Sequence, residues 1–158
     1  MYYYFIIKWG LILKMRGDMK VYTAVNTNNC STNVGVVLVG DHDQIYFEDG
    51  FKLTTQDKVS AHVYGLKRAI SFVKNMDPLY CKKNVLEICH DNVRVDIDKE
   101  MMDRIEADEY IRRFIESRDI KVNVKNKDLT DFDKQMLLNA SIKISPLSFN
   151  KGYEKERF

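Results

Sequence analysis

Three cysteines (Cys30, Cys81, Cys89) and three histidines (His42, His62, His90) are the side chains best suited to metal or nucleophilic chemistry. The cysteines show no Cys-x-x-Cys spacing and the histidines no His-x-x-x-His spacing, so the pattern builds no zinc site. An odd number of cysteines without a paired framework fits a reducing, cytoplasmic compartment. A run of acids follows, Asp96, Asp98, Glu100, Asp103, Glu106, Asp108 and Glu109, but it lacks the glycine and the spacing of a calcium loop. Lys67, Arg68, Lys74, Lys82 and Lys83 gather in one region and leave two readings open. They form either a phosphate-binding patch or a solvated set of cations that complements the negative end of a helix dipole. Lys121, Lys125 and Lys127, like Arg112 and Arg113, are interleaved with acids and read as solvated surface.

The elements that must position these groups follow from periodicity. Lys20–Val25 alternates like a strand, Val34–Val39 reads as a buried strand, and Gln44–Glu48 as a third ending at Asp49-Gly50. The intervening Asn26–Asn33 stretch is rich in turn-forming side chains. Thr54 or Thr55 can cap a helix whose apolar stripe is Val59, His62/Val63, Leu66, Ile70 and Val73. Asp77-Pro78 ends that helix, and Asn84–His90 is a fourth strand, expected parallel to the first by the right-handed crossover rule. A helical region over 98–118, a strand over 120–124 and a last helix over 130–140 complete the order βββ-α-β-α-β-α.

Charge removes one class of partner. The 158 residues carry 25 Lys+Arg and 23 Asp+Glu, a net charge of +2. Residues 1–18 hold Lys8, Lys14 and Arg16 against Asp18, so they account for all of it and residues 19–158 are neutral. An overall electrostatic pull toward nucleic acid or anionic membrane is excluded, and only local patches remain. The apolar run over 1–13 is shorter than the roughly 20 residues of a membrane span and carries Lys8 in its middle. It also lacks the features of a signal peptide. Met15-Arg-Gly-Asp-Met19 is codable as a purine-rich ribosome-binding sequence ahead of a Met19 codon in a bacterial or phage gene. Residues 1–18 are therefore expected to lie outside the natively translated chain, the alternatives being an ordered or interfacial addition or a membrane signal. The division expected is an extension over 1–18, one domain over 19–144 and a flexible tail over 145–158. A domain of that size buries about two-thirds of its extended-chain surface and needs no disulfide.

The element order, with certain residues at its corners, resembles the ribonuclease H family. Val21-Tyr-Thr-Ala24 stands where that family has a strand ending in Tyr-Thr-Asp, and Gly35-Val-Val-Leu38 where it has Gly-x-Val-Leu. Leu53-Thr-Thr-Gln-Asp-Lys58 matches the opening of the family's first helix, His90-Asp-Asn92 the end of its fourth strand, and Phe132-Asp-Lys-Gln-Met136 its last helix. The resemblance spans about residues 19–141. It implies an α/β fold with a five-stranded mixed sheet, three antiparallel strands followed by parallel ones, flanked by helices.

Members of that family hold two Mg²⁺ ions between four carboxylates, and the ions activate water and stabilise the leaving oxygen. By the resemblance those positions are Ala24, Lys58, Asp91 and Asp133 here, so two of four carboxylates are replaced, one by a methyl group and one by a cation. Lys58 is expected to pair with Asp91 or Asp133, with His62 and His90 approaching the same strand ends. Asp91 and Asp133 remain as weak candidates for a single metal. No cofactor is expected, with Mg²⁺ or Mn²⁺ needed only if those two acids function. The resemblance places Asn26, Asn28, Asn29, Thr55, Gln56 and Asn92 beside a nucleic-acid backbone, with Lys67 and Arg68 as further phosphate contacts. The expected function is a catalytically degenerate nucleic-acid-binding or accessory module for RNA–DNA hybrid or structured RNA. The alternatives are a protein-binding modulator of a host enzyme, from a phage or mobile element, and an active endoribonuclease of RNA–DNA hybrids with a rearranged site. No membrane partner is expected.

Overall fold

The computed structural model describes residues 19–27, 31–40, 43–54, 57–75, 85–90 and 97–143. Three strands lead, β1 (Met19–Thr27), β2 (Thr32–Val39) and β3 (Ile45–Leu53), followed by helix α1 (Lys58–Lys74) and strand β4 (Val85–His90). Helices α2 (Ile97–Ala107) and α3 (Glu109–Arg118), strand β5 (Lys121–Lys125) and helix α4 (Asp131–Lys143) complete the chain order. The five strands form one sheet in the order β3-β2-β1-β4-β5. β1 pairs antiparallel with β2 and parallel with β4, and β5 runs parallel to β4. The expected α/β mixed sheet, with its parallel crossover, is therefore present. The proposed extension over 1–18 and tail over 145–158 lie outside the described residues.

Alternation along β1 sorts its side chains onto two faces. Val21 joins the larger core beneath α1, α2 and α3, together with Val34, Val36, Leu66, Ile70, Ile88, Met101 and Phe114. Tyr22 and Ala24 join a second cluster beneath α4, with Val37, Val39, Cys89, Met136 and Ala140. Because helices cover both faces, β2 is buried along almost its whole length, as its apolar run requires, and β1 is buried from Val21 to Ala24.

Three boundaries differ from the sequence expectation. The helical region over 98–118 divides at Asp108, whose carboxylate accepts the Ile111 amide at 3.0 Å and caps α3. A capping acid inside a continuous apolar stripe is masked by that stripe, because periodicity runs on across a short break. α1 is capped by Asp57, which accepts from the Val59 amide at 3.1 Å and the Ser60 hydroxyl at 2.9 Å, and not by Thr54 or Thr55. Asp57 also pairs with Arg104 of α2 at 2.6 Å, so one carboxylate ends one helix and anchors another. Finally, β3 does not stop at Asp49-Gly50 but runs on to Leu53. Gly50 serves close approach and not a turn: a Cβ there would sit 2.1 Å from the Lys143 carbonyl oxygen at the end of α4.

That contact sets a test. Gly50→Ala forces backbone apart, since the neighbour is a carbonyl and not a flexible side-chain tip. We expect a loss of about 1–3 kcal/mol of stability in urea unfolding. A loss within experimental error would mean that α4 does not rest on β3.

Candidate functional site

β1, β4 and β5 lie side by side, and their register aligns Tyr22 with Cys89 and Cys89 with Lys125. This row runs under the first turn of α4, which delivers Asp133. The local sequence explains why α4 starts there. Thr130 and Asp133 form a reciprocal cap in which the Asp133 amide donates to Thr130 Oγ1 at 3.0 Å and the Thr130 amide donates to Asp133 Oδ2 at 3.1 Å.

Asp133 is fully buried and its oxygens are engaged. Tyr22 Oη donates to Oδ1 at 2.7 Å, and Lys125 Nζ lies 3.2 Å from Oδ2. Phe132 meets the Tyr22 ring edge-on and keeps it in place. Lys125 also reaches Glu87 at 3.5 Å. Burial by itself would raise the Asp133 pKa, but the bonds from Tyr22, Thr130 and Lys125 outweigh it and hold the carboxyl down at about 2. Burial and the bond to Asp133 push the Tyr22 phenol well above its usual range. Burial, with the Asp133 and Glu87 charges beside it, moves the Cys89 thiol up to about 12 and keeps it neutral. Desolvation disfavours the Lys125 charge, yet its two carboxylate partners raise its pKa.

Of the expected metal ligands, the described ones do not gather around this acid. Ala24 is fully buried in the apolar cluster beneath α4 and offers no ligand atom. Lys58 is exposed at the start of α1. The ammonium that meets Asp133 is that of Lys125, while the other expected partner of Lys58, Asp91, is not among the described residues. Asp91, Asn92, Asn28, Asn29, Thr55 and Gln56 lie outside the described residues. Among those described, Glu87, Cys89 and Asp133 are the one group whose ligand atoms all fall within 4.8 Å of one another. A hard divalent ion prefers an all-oxygen shell of free carboxylates, and this group offers a thiol and an acid already bound to a phenol, an amide and an ammonium. The described residues do not fit the metal pair that the sequence resemblance implies.

The histidines do converge, but on the opposite face. His62 from α1 and His90 from β4 are buried with ring centroids 5.4 Å apart. His62 Nδ1 is 2.8 Å from Thr23 Oγ1, and His90 Nε2 is 2.5 Å from Asp98 Oδ1 at the start of α2. Thr23 and Tyr22 are adjacent on β1 and point to opposite faces, so the sheet separates this pair from Asp133. A hydroxyl beside an imidazole is the geometry of an activated nucleophile. Thr23 and His62 are both fully inaccessible, however, and the pair ties α1 to β1.

The candidate phosphate contacts are distributed unevenly. Asn26 is exposed near the end of β1. Lys67 pairs with Asp108 at 2.6 Å. Arg68 lies 3.4 Å from Asp49 and stacks over the Phe51 ring at 4.4 Å, so both cations join elements together. Sequence reasoning missed Tyr22 and Glu87, gave Cys89 no partner and read Lys125 as solvated surface, whereas Lys125 is half-buried against Glu87 and Asp133. The signal that could have found them is strand register, because a row of polar side chains one strand apart is invisible until the pairing is known.

Comparison with solved structures supports the fold. The chain is similar to RNase H1 from the halophilic archaeon Halobacterium salinarum (14% identity, 80% of this chain and 97% of that one, TM-score 0.50). It is also similar to LC11-RNase H1 in complex with an RNA/DNA hybrid (14%, 80% and 98%, TM-score 0.53). A third similar structure is the N-terminal RNase H domain of a Mycobacterium tuberculosis protein (8%, 81% and 99%, TM-score 0.53). No family model and no curated protein matches the chain. The fold is ribonuclease H-like.

Two groups set acid sensitivity. Burial, then the nearby His90 and Lys58 charges, depress the His62 pKa to about 3. A depressed histidine resists the proton that the unfolded chain accepts, so stability is lost as pH falls below about 6.5. The Asp133 contribution is present above about pH 4 and is lost as pH falls toward 2. We expect about 3 kcal/mol to disappear between pH 6.5 and 4 in urea titrations. His62→Asn should flatten that window and leave the loss below pH 4 in place. A variant profile that tracks the wild type would assign the acid sensitivity elsewhere.

Proposed function

We propose that this chain is a catalytically degenerate ribonuclease H-like domain that binds nucleic acid as an accessory module, with an RNA–DNA hybrid or structured RNA as its ligand. One observation carries the reading. A fold used in solved neighbours for nuclease chemistry and hybrid binding here has a methyl group at Ala24 and an ammonium on Asp133 where metal-binding carboxylates are implied. The loss falls on the chemistry and leaves the scaffold whole.

Binding then rests on shape and on a few polar contacts. Asn26 and Lys58 are exposed and available to a sugar-phosphate backbone. Lys67 and Arg68 already serve carboxylates, which lowers the number of phosphates the domain can neutralise. With residues 19–158 neutral, affinity is modest and each lost phosphate contact matters.

A second reading has its own observation. Leu138 and Ile142 stand one turn apart on α4 and are 54% and 55% exposed. Exposed apolar residues at that spacing suit a protein partner, in line with a modulator of a host enzyme.

Fluorescence anisotropy with a labelled RNA–DNA hybrid separates these readings. The expected result is binding at low salt that weakens as salt rises, is equal with Mg²⁺ and with a chelator, and proceeds without cleavage in Mg²⁺ or Mn²⁺. Absence of any binding at low salt would favour the protein-partner reading. Metal-dependent cleavage abolished by Asp91→Asn would instead establish an active nuclease with a rearranged site.

A further inference from the structure

We propose that the Lys125 ammonium is the resident cation of the Glu87–Cys89–Asp133 cluster, keeps divalent metal out of it, and when removed exposes a thiolate–carboxylate site for a borderline divalent ion such as Zn²⁺ or Co²⁺. The inference concerns the cluster on which the proposed function turns, but it does not depend on nucleic-acid binding.

Geometry supplies the first support. The three ligand atoms lie within 4.8 Å of one another, so small rotations bring them around one ion at bond lengths of about 2.0–2.3 Å. A cation already sits among them, 3.2 Å from Asp133 Oδ2 and 3.5 Å from Glu87 Oε2. The place is thus one where the protein requires positive charge.

Charge balance supplies the second. Two carboxylates, a neutral thiol and one ammonium sum to a single negative charge. Two carboxylates, a thiolate and a divalent ion sum to the same value. Exchanging the ammonium for the ion and releasing the thiol proton leaves the charge of the pocket unchanged. Ligand softness decides the metal, because a thiolate beside carboxylates selects Zn²⁺ or Co²⁺ over Mg²⁺. Lys125 cannot be shared, since Asp133 Oδ2 also accepts from Thr130 and has no place for both cations. Cys89 and Asp133 are fully buried, so a bound ion would be shielded from water on most sides.

The test uses the full chain carrying Cys30→Ser and Cys81→Ser, so that any thiolate signal belongs to Cys89. Co²⁺ is titrated and the near-ultraviolet thiolate-to-cobalt charge-transfer band is followed, alongside thermal melting. With Lys125 present, and equally with Lys125→Arg, no saturable band is expected and the melting temperature stays constant. Lys125→Ala should give a band saturating at one ion per chain, with affinity at least tenfold above the parent, and a melting temperature raised by the ion. Adding Cys89→Ser should abolish the band. Lys125→Met, which keeps the apolar stem, provides a second route if the alanine variant folds poorly. A saturable band in the parent overturns the proposal. So does a folded Lys125→Ala or Lys125→Met chain that yields none, or failure of Co²⁺ to restore both variants if neither folds alone.

Discussion

A buried carboxylate is stable only when its surroundings supply what water would have supplied, and the Asp133 side chain imposes that condition on four elements at once. Its oxygens draw a phenol from β1, a backbone amide from the loop before α4 and an ammonium from β5, which in turn holds Glu87 of β4. Removing an acceptor from such a network leaves its donors unsatisfied, and that penalty exceeds the modest gain of any one bond. The position of α4 over the sheet is therefore specified by polarity as well as by apolar packing. A helix held by Met136, Leu137 and Ala140 alone could slide, whereas a helix whose third residue must meet three donors cannot.

The same network shows two neighbouring carboxylates sharing one side-chain cation. In a two-metal centre, the ions hold converging carboxylates together against their mutual repulsion. Here Ala24 adds no charge to the cluster, and one ammonium lies between Glu87 and Asp133. The cation of this cluster is covalently attached to β5. The histidine pair beyond the sheet solves a different problem. Thr23, shut off from solvent, satisfies His62, and the half-buried Asp98 satisfies His90, so these bonds join α1, β4 and α2 to the sheet.

Element order was legible in the sequence because it depends on local periodicity: alternation in Lys20–Val25, the three-and-four spacing from Val59 to Val73, and a helix placed where a parallel crossover needs one. Resemblance to ribonuclease H then carried the topology, and the structure bears it out. Boundaries failed where a residue had two uses. Gly50 reads as a turn yet continues a strand because α4 presses on it, and Asp108 reads as one more surface acid yet divides two helices. Asp133, which the sequence reading singled out, lies at the centre of the polar network, and Ala24 lies in the apolar cluster beside it. Lys125 was not legible, because a lysine in a strand flanked by charges looks solvated, and only the pairing of β5 with β4 reveals what lies beside it.

Helix α4 is fastened at both ends by contacts of different kinds, the Asp133 network at its start and the Gly50 backbone against Lys143 at its finish. Between them it spans the sheet from the β5 side to the β3 edge, passing over β1 and β2. A rigid rod pinned at two distant points acts as a strut. The two edges of this sheet are thus mechanically joined above its central strands, although they share no hydrogen bond within it. The placement of one helix thus depends on contacts made near both edges of the sheet.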